Sequence, residues 1–211
     1  MRIVKREHAC MVVTENGQSL LIDPGGWTAP LDDVETVVAV VVTHTHADHW
    51  TPDHLASLRQ RFGQAPVFGP ADLTQATEVD ISVVASGSEQ QVGPFRLRFY
   101  GGEHARIHAS IPPIQNVGVM VNDRFAYGGD ALVPPDGRPE VLAVPASAPW
   151  LKLGEVMDYL IDIRPEHTLA VHDALLSPVG LTLTNTLLAK AAESIGATHH
   201  RLTPGEHLEV G

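Results

Sequence analysis

A single cysteine in 211 residues, Cys10, excludes an intrachain disulfide framework and agrees with a reducing compartment. Set in Ala9-Cys10-Met11-Val12-Val13, it reads as a small buried hydrophobe rather than a nucleophile. Basic residues are also scarce. Fourteen Lys and Arg stand against 25 Asp and Glu, a formal net charge of −11, which argues against a nucleic-acid backbone or an anionic membrane as partner. No uncharged apolar run approaches the roughly 18 residues that a membrane span needs. Met1 to Glu7 carries charges but no apolar core of a secretory signal, so the expected location is cytoplasmic. What remains is an ordinary globular composition, 44% hydrophobic and 18% charged, long enough to bury a core within one domain spanning residues 1–211.

Histidine is what the chain has in quantity: twelve, and their placement matters more than their number. The apolar run Val37 to Val42 reads as a buried strand, and directly after it comes Thr43-His44-Thr45-His46-Ala47-Asp48-His49. His44 and His46, two apart, share a side of an extended segment. Asp48 and His49 follow in a turn where adjacent side chains diverge, so they can serve a second ion about 3.5–4 Å from the first.

The rest of the chain delivers further ligand types at strand ends. An early meander, with a hairpin signal at Asn16-Gly17, ends at Asp23-Pro24-Gly25-Gly26. Thr51-Pro52-Asp53 reads as the start of a helix that runs to Phe62 and stops at Gly63, with His54 on its solvated face. A strand from Phe95 to Tyr100 runs into Gly101-Gly102-Glu103-His104. A hairpin about Asn122-Asp123 ends in Gly129-Asp130, and the strand Thr168 to Val171 delivers His172-Asp173. Leu153, Val156, Met157, Leu160 and Ile161 mark a helix stopped by Pro165, and Leu183, Leu187, Leu188, Ala191 and Ile195 mark the last one. Arg201 to Thr203 and Leu208 to Val210 read as a terminal strand pair. About twelve strands with helices outside them favour a sheet-on-sheet core flanked by helices.

The series His44-x-His46-x-Asp48-His49, then His104, then Asp130, then His172, resembles the metallo-β-lactamase superfamily over nearly the whole chain. Within it, the compact length and the segments around Gly101 to His104 and Tyr127 to Asp130 look most like the small group that includes ascorbate phosphate lactonase. The resemblance implies an α/β, four-layer αββα sandwich. It implies that His44, His46 and His104 hold one metal ion, that Asp48, His49 and His172 hold another, and that Asp130 bridges the two. Histidine and carboxylate without thiolate suit zinc first, with manganese or iron as alternatives, and leave open positions for water. The expected activity is hydrolysis of a small-molecule ester, lactone or phosphoester, with Asp48 and Asp130 orienting the attacking water or taking its proton.

Other classes stay open. A mononuclear iron oxygenase of the persulfide dioxygenase type uses the same motif, and a metal-stabilised binding protein would need no catalysis. His46 in place of Glu argues against the di-iron, oxygen-reducing branch. Glu103, Arg106, His108, Lys152, Asp173 and Trp150 lie on loops expected at the same rim, the charged ones as substrate-binding or supporting residues, and Asp23 and Asp173 could hold ligand imidazoles from behind. Trp27, Trp50 and Trp150 read as packing under loops, and His199 and His200 as exposed.

Overall fold

The computed structural model describes residues 1–63 and 65–211. Strands β1 (Arg2–Lys5), β2 (Met11–Glu15), β3 (Gln18–Ile22) and β4 (Val37–Val41) are followed by helix α1 (Pro52–Phe62). Then come β5 (Val67–Gly69), a 3-10 turn at Ala71–Gln75 and β6 (Ile81–Val83). The second half contributes β7 (Glu89–Val92), β8 (Phe95–Glu103), β9 (Gln115–Val121), β10 (Phe125–Tyr127) and β11 (Val141–Pro145). It continues with α2 (Leu153–Ile163), β12 (His167–Val171), α3 (Pro178–Ser194), β13 (Thr198–His200) and β14 (His207–Glu209).

These strands form two seven-stranded sheets, ordered β14-β1-β2-β3-β4-β5-β6 and β13-β12-β11-β10-β9-β8-β7. Both are mixed. β4 runs parallel to β3 and β5, and β11 runs parallel to β10 and β12, while the hairpins are antiparallel. Alternation along the strands explains the layering. Ile3, Val13, Leu20, Ile22, Ala39 and Val41 of the first sheet meet Leu97, Phe99, Val119, Tyr127 and Ala143 of the second in a shared core. The opposite face of the first sheet, through Val12, Leu21, Val40 and Val42, packs under Leu55 and Leu58 of α1. The outer face of the second sheet, through Met120, Leu142, Val144 and Ala170, packs under Val156 of α2 and Leu188 of α3. The result is the expected αββα sandwich. Among the described residues no helix is long and apolar enough to cross a membrane.

Local signals place α1 and α2 where the sequence does. The Thr51 hydroxyl accepts from the His54 amide, Pro52 fills the first turn, and Gly63 closes the helix at φ 56°. The structure corrects several other expectations. The expected terminal pair does not form: Arg201 to Thr203 is not a strand, β13 precedes it and extends the second sheet parallel to β12, and β14 closes the edge of the first sheet beside β1. α3 begins at Pro178, with Ser177 as its cap, so Leu183 lies on its solvent side at 59% exposure and Leu188, Ala191 and Ala192 form the buried stripe. β8 runs through the Gly101-Gly102 pair to Glu103, because β9 starts at Gln115 and continues the ladder that far. His199 and His200 are half-buried rather than exposed. The Thr168 hydroxyl and the Asn185 side chain each hydrogen-bond one His199 ring nitrogen, at 2.7 and 2.9 Å.

Candidate metal centre

The end of β4 carries Thr43, whose position decides the rest. Its amide donates to Asp23 Oδ1 at 2.8 Å and its hydroxyl to Asp23 Oδ2 at 2.7 Å. With its proton so used, the Thr43 oxygen accepts from His44 Nδ1 at 3.0 Å, which leaves His44 Nε2 with a lone pair facing His46 Nδ1 at 3.1 Å. Asp23 also accepts from His49 Nδ1 at 2.7 Å, so it holds the motif from behind. The same wiring recurs from the second sheet. His104 Nδ1 donates to the Ala105 carbonyl at 2.6 Å, and His172 Nδ1 donates to the Ser147 carbonyl at 2.5 Å. Since carbonyls and carboxylates only accept, Nδ1 of His49, His104 and His172 carries a proton, and Nε2 is the nitrogen that presents a lone pair when the ring is neutral.

Those lone pairs converge. His44, His46 and His104 form one group with ligand atoms within 4.8 Å of one another; His8, Asp48, His49 and His172 form a second; His44, His49 and Asp130 link the two. Asp130 stands between them, Oδ1 at 3.3 Å from His49 Nε2 and Oδ2 at 3.4 Å from His104 Nε2 and 3.3 Å from His172 Nε2. His49 Nε2, His104 Nε2, His172 Nε2 and Asp130 Oδ1 are all buried without a hydrogen-bond partner. Four such atoms around one point would be costly in an apolar interior. A divalent cation satisfies them, so the residues fit the metal ions that the sequence resemblance implies.

Electrostatics without metal divide along the same line. Burial lowers the pKa of His44 well below its ordinary value, and His46 is lowered for the same first reason. Burial also disfavours the charged form of His49 and His172, but the carboxylates overcome it. Asp130 and Asp23 push His49 up to about 10, and Asp130 and Asp48 push His172 up to about 9. Asp130 is held well below the usual carboxylate range: burial opposes its charge, and the surrounding imidazoles outweigh that.

The remaining expected residues separate clearly. Asp23 supports His49 as anticipated. Asp173 does not support a ligand imidazole: it pairs with the buried Lys5 ammonium at 2.9 Å, because the side chain after His172 turns away from the cluster. Glu103, Arg106, His108 and Lys152 are exposed; His108 bonds Ser110 and Lys152 bonds Glu155, and among the described residues none hydrogen-bonds the cluster. His54 is not on a solvated face, since its Nδ1 donates to the Pro24 carbonyl at 2.9 Å. Trp150 reaches the site instead of packing under a loop, donating its indole N–H to Asp130 Oδ2 at 2.9 Å.

Sequence reasoning missed His8. It lies between β1 and β2, buried, with its Nε2 3.1 Å from Asp48 Oδ2. Its neighbours in the chain form an apolar strand start, and its partners are 40 and more residues away, so no local pattern marks it. One signal was available: a histidine at a turn between two strands of the sheet that carries the motif. His8, Asp23 and His172 all hold left-handed backbone, at φ 57°, 48° and 58°. Non-glycine residues in that region cluster where surrounding structure forces them, as functional sites do.

Comparison with known proteins agrees with this geometry. Over 183 residues the chain is 31% identical to protein Rv0786c of Mycobacterium tuberculosis, covering 84% of this chain and 86% of that one. The fold is similar to that of Igni18, a metallo hydrolase from Ignicoccus hospitalis, with a TM-score of 0.73 at 18% identity over 100% and 99% of the two chains. It is also similar to CmlA, a diiron β-hydroxylase from Streptomyces venezuelae, with a TM-score of 0.78 at 13% identity over 99% of this chain and 54% of that one. Residues 2–172 match the family model described as a beta-lactamase superfamily domain, and with the αββα sandwich and the histidine and aspartate series at its strand ends, the chain belongs to the metallo-β-lactamase superfamily.

Proposed function

We propose that this protein is a dinuclear metal-dependent hydrolase of small-molecule esters, lactones or phosphoesters. The observation that carries the reading is the convergence of four buried ligand atoms without a hydrogen-bond partner, His49 Nε2, His104 Nε2, His172 Nε2 and Asp130 Oδ1, where the two histidine groups meet at Asp130. His44, His46 and His104 would hold one ion and Asp48, His49 and His172 the other, with Asp130 shared. Zinc suits this donor set, and manganese or iron would also fit it. When bound, such ions lower the pKa of a ligated water from 15.7 to about 7 and polarise the bond to be broken.

The chain's own residues supply the rest. The Asp48 side chain keeps 20% exposure while His49 and His172 beside it are buried, so of the two site carboxylates it is the one that solvent reaches and the one to orient a water and accept its proton. Asp130, buried and held ionised, supplies fixed negative charge between the two groups. Asp23, the Ala105 carbonyl and the Ser147 carbonyl keep the imidazoles in the tautomer that presents Nε2. No basic side chain faces the cluster among the described residues, which favours a substrate whose charge the ions themselves neutralise.

The test is metal analysis followed by a lactone, phosphodiester and thioester panel on wild type and Asp130→Ala. The expected result is two ions per chain, and hydrolysis that falls by several orders of magnitude in the variant. One iron per chain with oxygen consumed on a persulfide would replace this reading with an oxygenase. Full metal occupancy with no turnover of any panel member would leave a binding protein.

A further inference from the structure

Six imidazoles line the cluster, and four of them, His44, His49, His104 and His172, are held through Nδ1 with Nε2 turned to the centre. We propose that one of the other two, His8, is not a ligand but a positioning residue, which donates its Nε2 proton to Asp48 and locks the Asp48–His172 half of the centre in place. The proposal rests on the two-metal reading above, and it is carried by the other ring nitrogen. His8 Nδ1 receives the backbone N–H of Ala174 at 3.3 Å. An amide N–H only donates, so Nδ1 must present its lone pair, and the one proton of the neutral ring is on Nε2. A protonated Nε2 has no lone pair for a cation. It has a carboxylate oxygen, Asp48 Oδ2, at 3.1 Å instead. His49, His104 and His172 show the reverse arrangement, with Nδ1 donating outward and Nε2 free. Proximity alone would count His8 as a fourth ligand beside Asp48, His49 and His172; the tautomer removes it.

The segment that carries His8 is braced against the strand end that carries His172. The His8 carbonyl accepts from the His172 amide at 2.8 Å, and the two rings lie 4.0 Å apart between centroids. Three residues earlier, the buried Lys5 ammonium pairs with Asp173 at 2.9 Å. Trp27 covers the other side of the His8 ring, with centroids 4.5 Å apart. His8 and His172 both hold left-handed backbone, and the hydrogen bond between them joins the two strained residues directly. One turn of the first sheet thus fixes a ligand of the second sheet and orients a carboxylate of the motif. Among the described residues, the ring contacts of His8 are to Trp27, His49 and His172, and none joins it to His44, His46 or His104.

The experiment uses the full chain labelled with [15N]histidine, in metal-free and zinc-saturated form, with zinc affinities from chelator competition for wild type, His8→Leu and His8→Gln. Long-range 1H–15N spectra should show His8 as the Nε2–H tautomer in both forms. His8→Leu should weaken the second zinc equivalent about 10- to 100-fold and leave the first unchanged. His8→Gln, whose amide can donate from the same place, should recover most of that loss. A His8 Nε2 signal with the shift of a metal-bound nitrogen, or a His8→Leu variant that binds both equivalents like wild type, overturns the proposal. If His8→Leu does not fold, the tautomer of the wild-type ring and the His8→Gln affinity still decide it. Wild type that saturates at one zinc would overturn the two-metal reading instead, and the His8 tautomer would still be read in the metal-free protein.

Discussion

Gly25 is where the loop behind the motif touches the motif itself, and Gly25→Ala tests whether that contact sets the centre's geometry. A Cβ at this position would lie 1.8 Å from the Asp48 carbonyl oxygen, 2.2 Å from its carbon and 2.7 Å from the His49 nitrogen. These are backbone atoms, which cannot rotate aside. Real Cβ contacts stay beyond about 3.0 Å, so the 1.8 Å contact is short by about 1.2 Å and the two segments must part by roughly that much. The loop is tied on both sides of Gly25, by Asp23 to His49 at 2.7 Å and by the Gly26 amide to the Ala47 carbonyl at 2.8 Å. Lengthening either by 1.2 Å takes it past hydrogen-bonding range. Overpacking of this kind costs about 1–3 kcal/mol, and losing a charge-assisted hydrogen bond adds about 1.5–3 kcal/mol. For a chain of this size each kcal/mol is worth about 2–4 °C, so the metal-free variant should melt roughly 10 °C lower. Its second zinc equivalent, the one that needs His49 in register, should weaken with it. Gly154→Ala is the control, because a Cβ there meets nothing within 4 Å. Scanning calorimetry and zinc titration read both quantities. A Gly25→Ala protein within 2 °C of wild type and with both zinc equivalents intact would refute the reasoning.

Two further outcomes follow from the site's charges and donors. His49 and His172 are raised in the metal-free chain, to about 10 and about 9. Their stabilisation is therefore complete below their unfolded value near 6.5 and lost as pH rises through 9 to 10. Metal-free protein should lose melting temperature over that window. Zinc affinity at the Asp48, His49 and His172 group should rise about tenfold per pH unit for each proton displaced, and a pH-independent affinity from chelator competition at pH 6.5 to 8.5 would contradict this. Trp150→Phe keeps most of the ring and removes the N–H that reaches Asp130 Oδ2 at 2.9 Å; overall zinc affinity should drop about tenfold with little change in melting temperature, and an unchanged affinity would show that the bond does not orient Asp130.

What the sequence made legible has a local physical cause. Helix α1 could be read to the residue because a cap, an N-terminal proline and a terminal glycine act within one turn of the chain. The seven residues of the His44 to His172 series could be picked out because they follow four strand ends, and strand ends are visible as hydrophobic runs meeting glycine or a turn. Where the answer depends on which distant segment lies opposite, the same reading fails. Arg201 to Thr203 and Leu208 to Val210 look like a hairpin in sequence, yet the strand before the turn is β13, at Thr198–His200, and β13 and β14 each add to a different sheet because the free edges of β12 and β1 are available to them. Asp173 looks like a partner for its neighbour His172, and it instead meets Lys5, 168 residues away. His8 escapes for the same reason, and Trp150, though expected on a loop at the rim, could not be tied to Asp130: their bonds to Asp48 and Asp130 leave no mark on the residues around them.

The two sheets meet at Thr43, and that meeting explains why the ligand atoms are held apart before any ion arrives. Its side chain and amide bind Asp23 in the first sheet, while its carbonyl accepts from the Val117 amide of the second at 2.9 Å. On the second sheet, Asn116 donates to the Gly128 carbonyl at 2.8 Å and accepts from the Asp130 amide at 3.0 Å, so the turn that presents Asp130 is fixed to the same strand that touches Thr43. Gly129, at φ 64°, passes so close that a Cβ would stand 2.4 Å from Asn116 Oδ1 and 2.8 Å from Thr43 Cβ. None of these bonds uses a ligand atom. The scaffold therefore fixes the positions of His44, His49 and Asp130 through groups that remain satisfied whether or not metal is present, and the unsatisfied Nε2 and Oδ1 atoms are what that rigidity leaves over. A cation bound there draws on ligands of both sheets at once, so binding at this centre stabilises the whole sandwich rather than one loop.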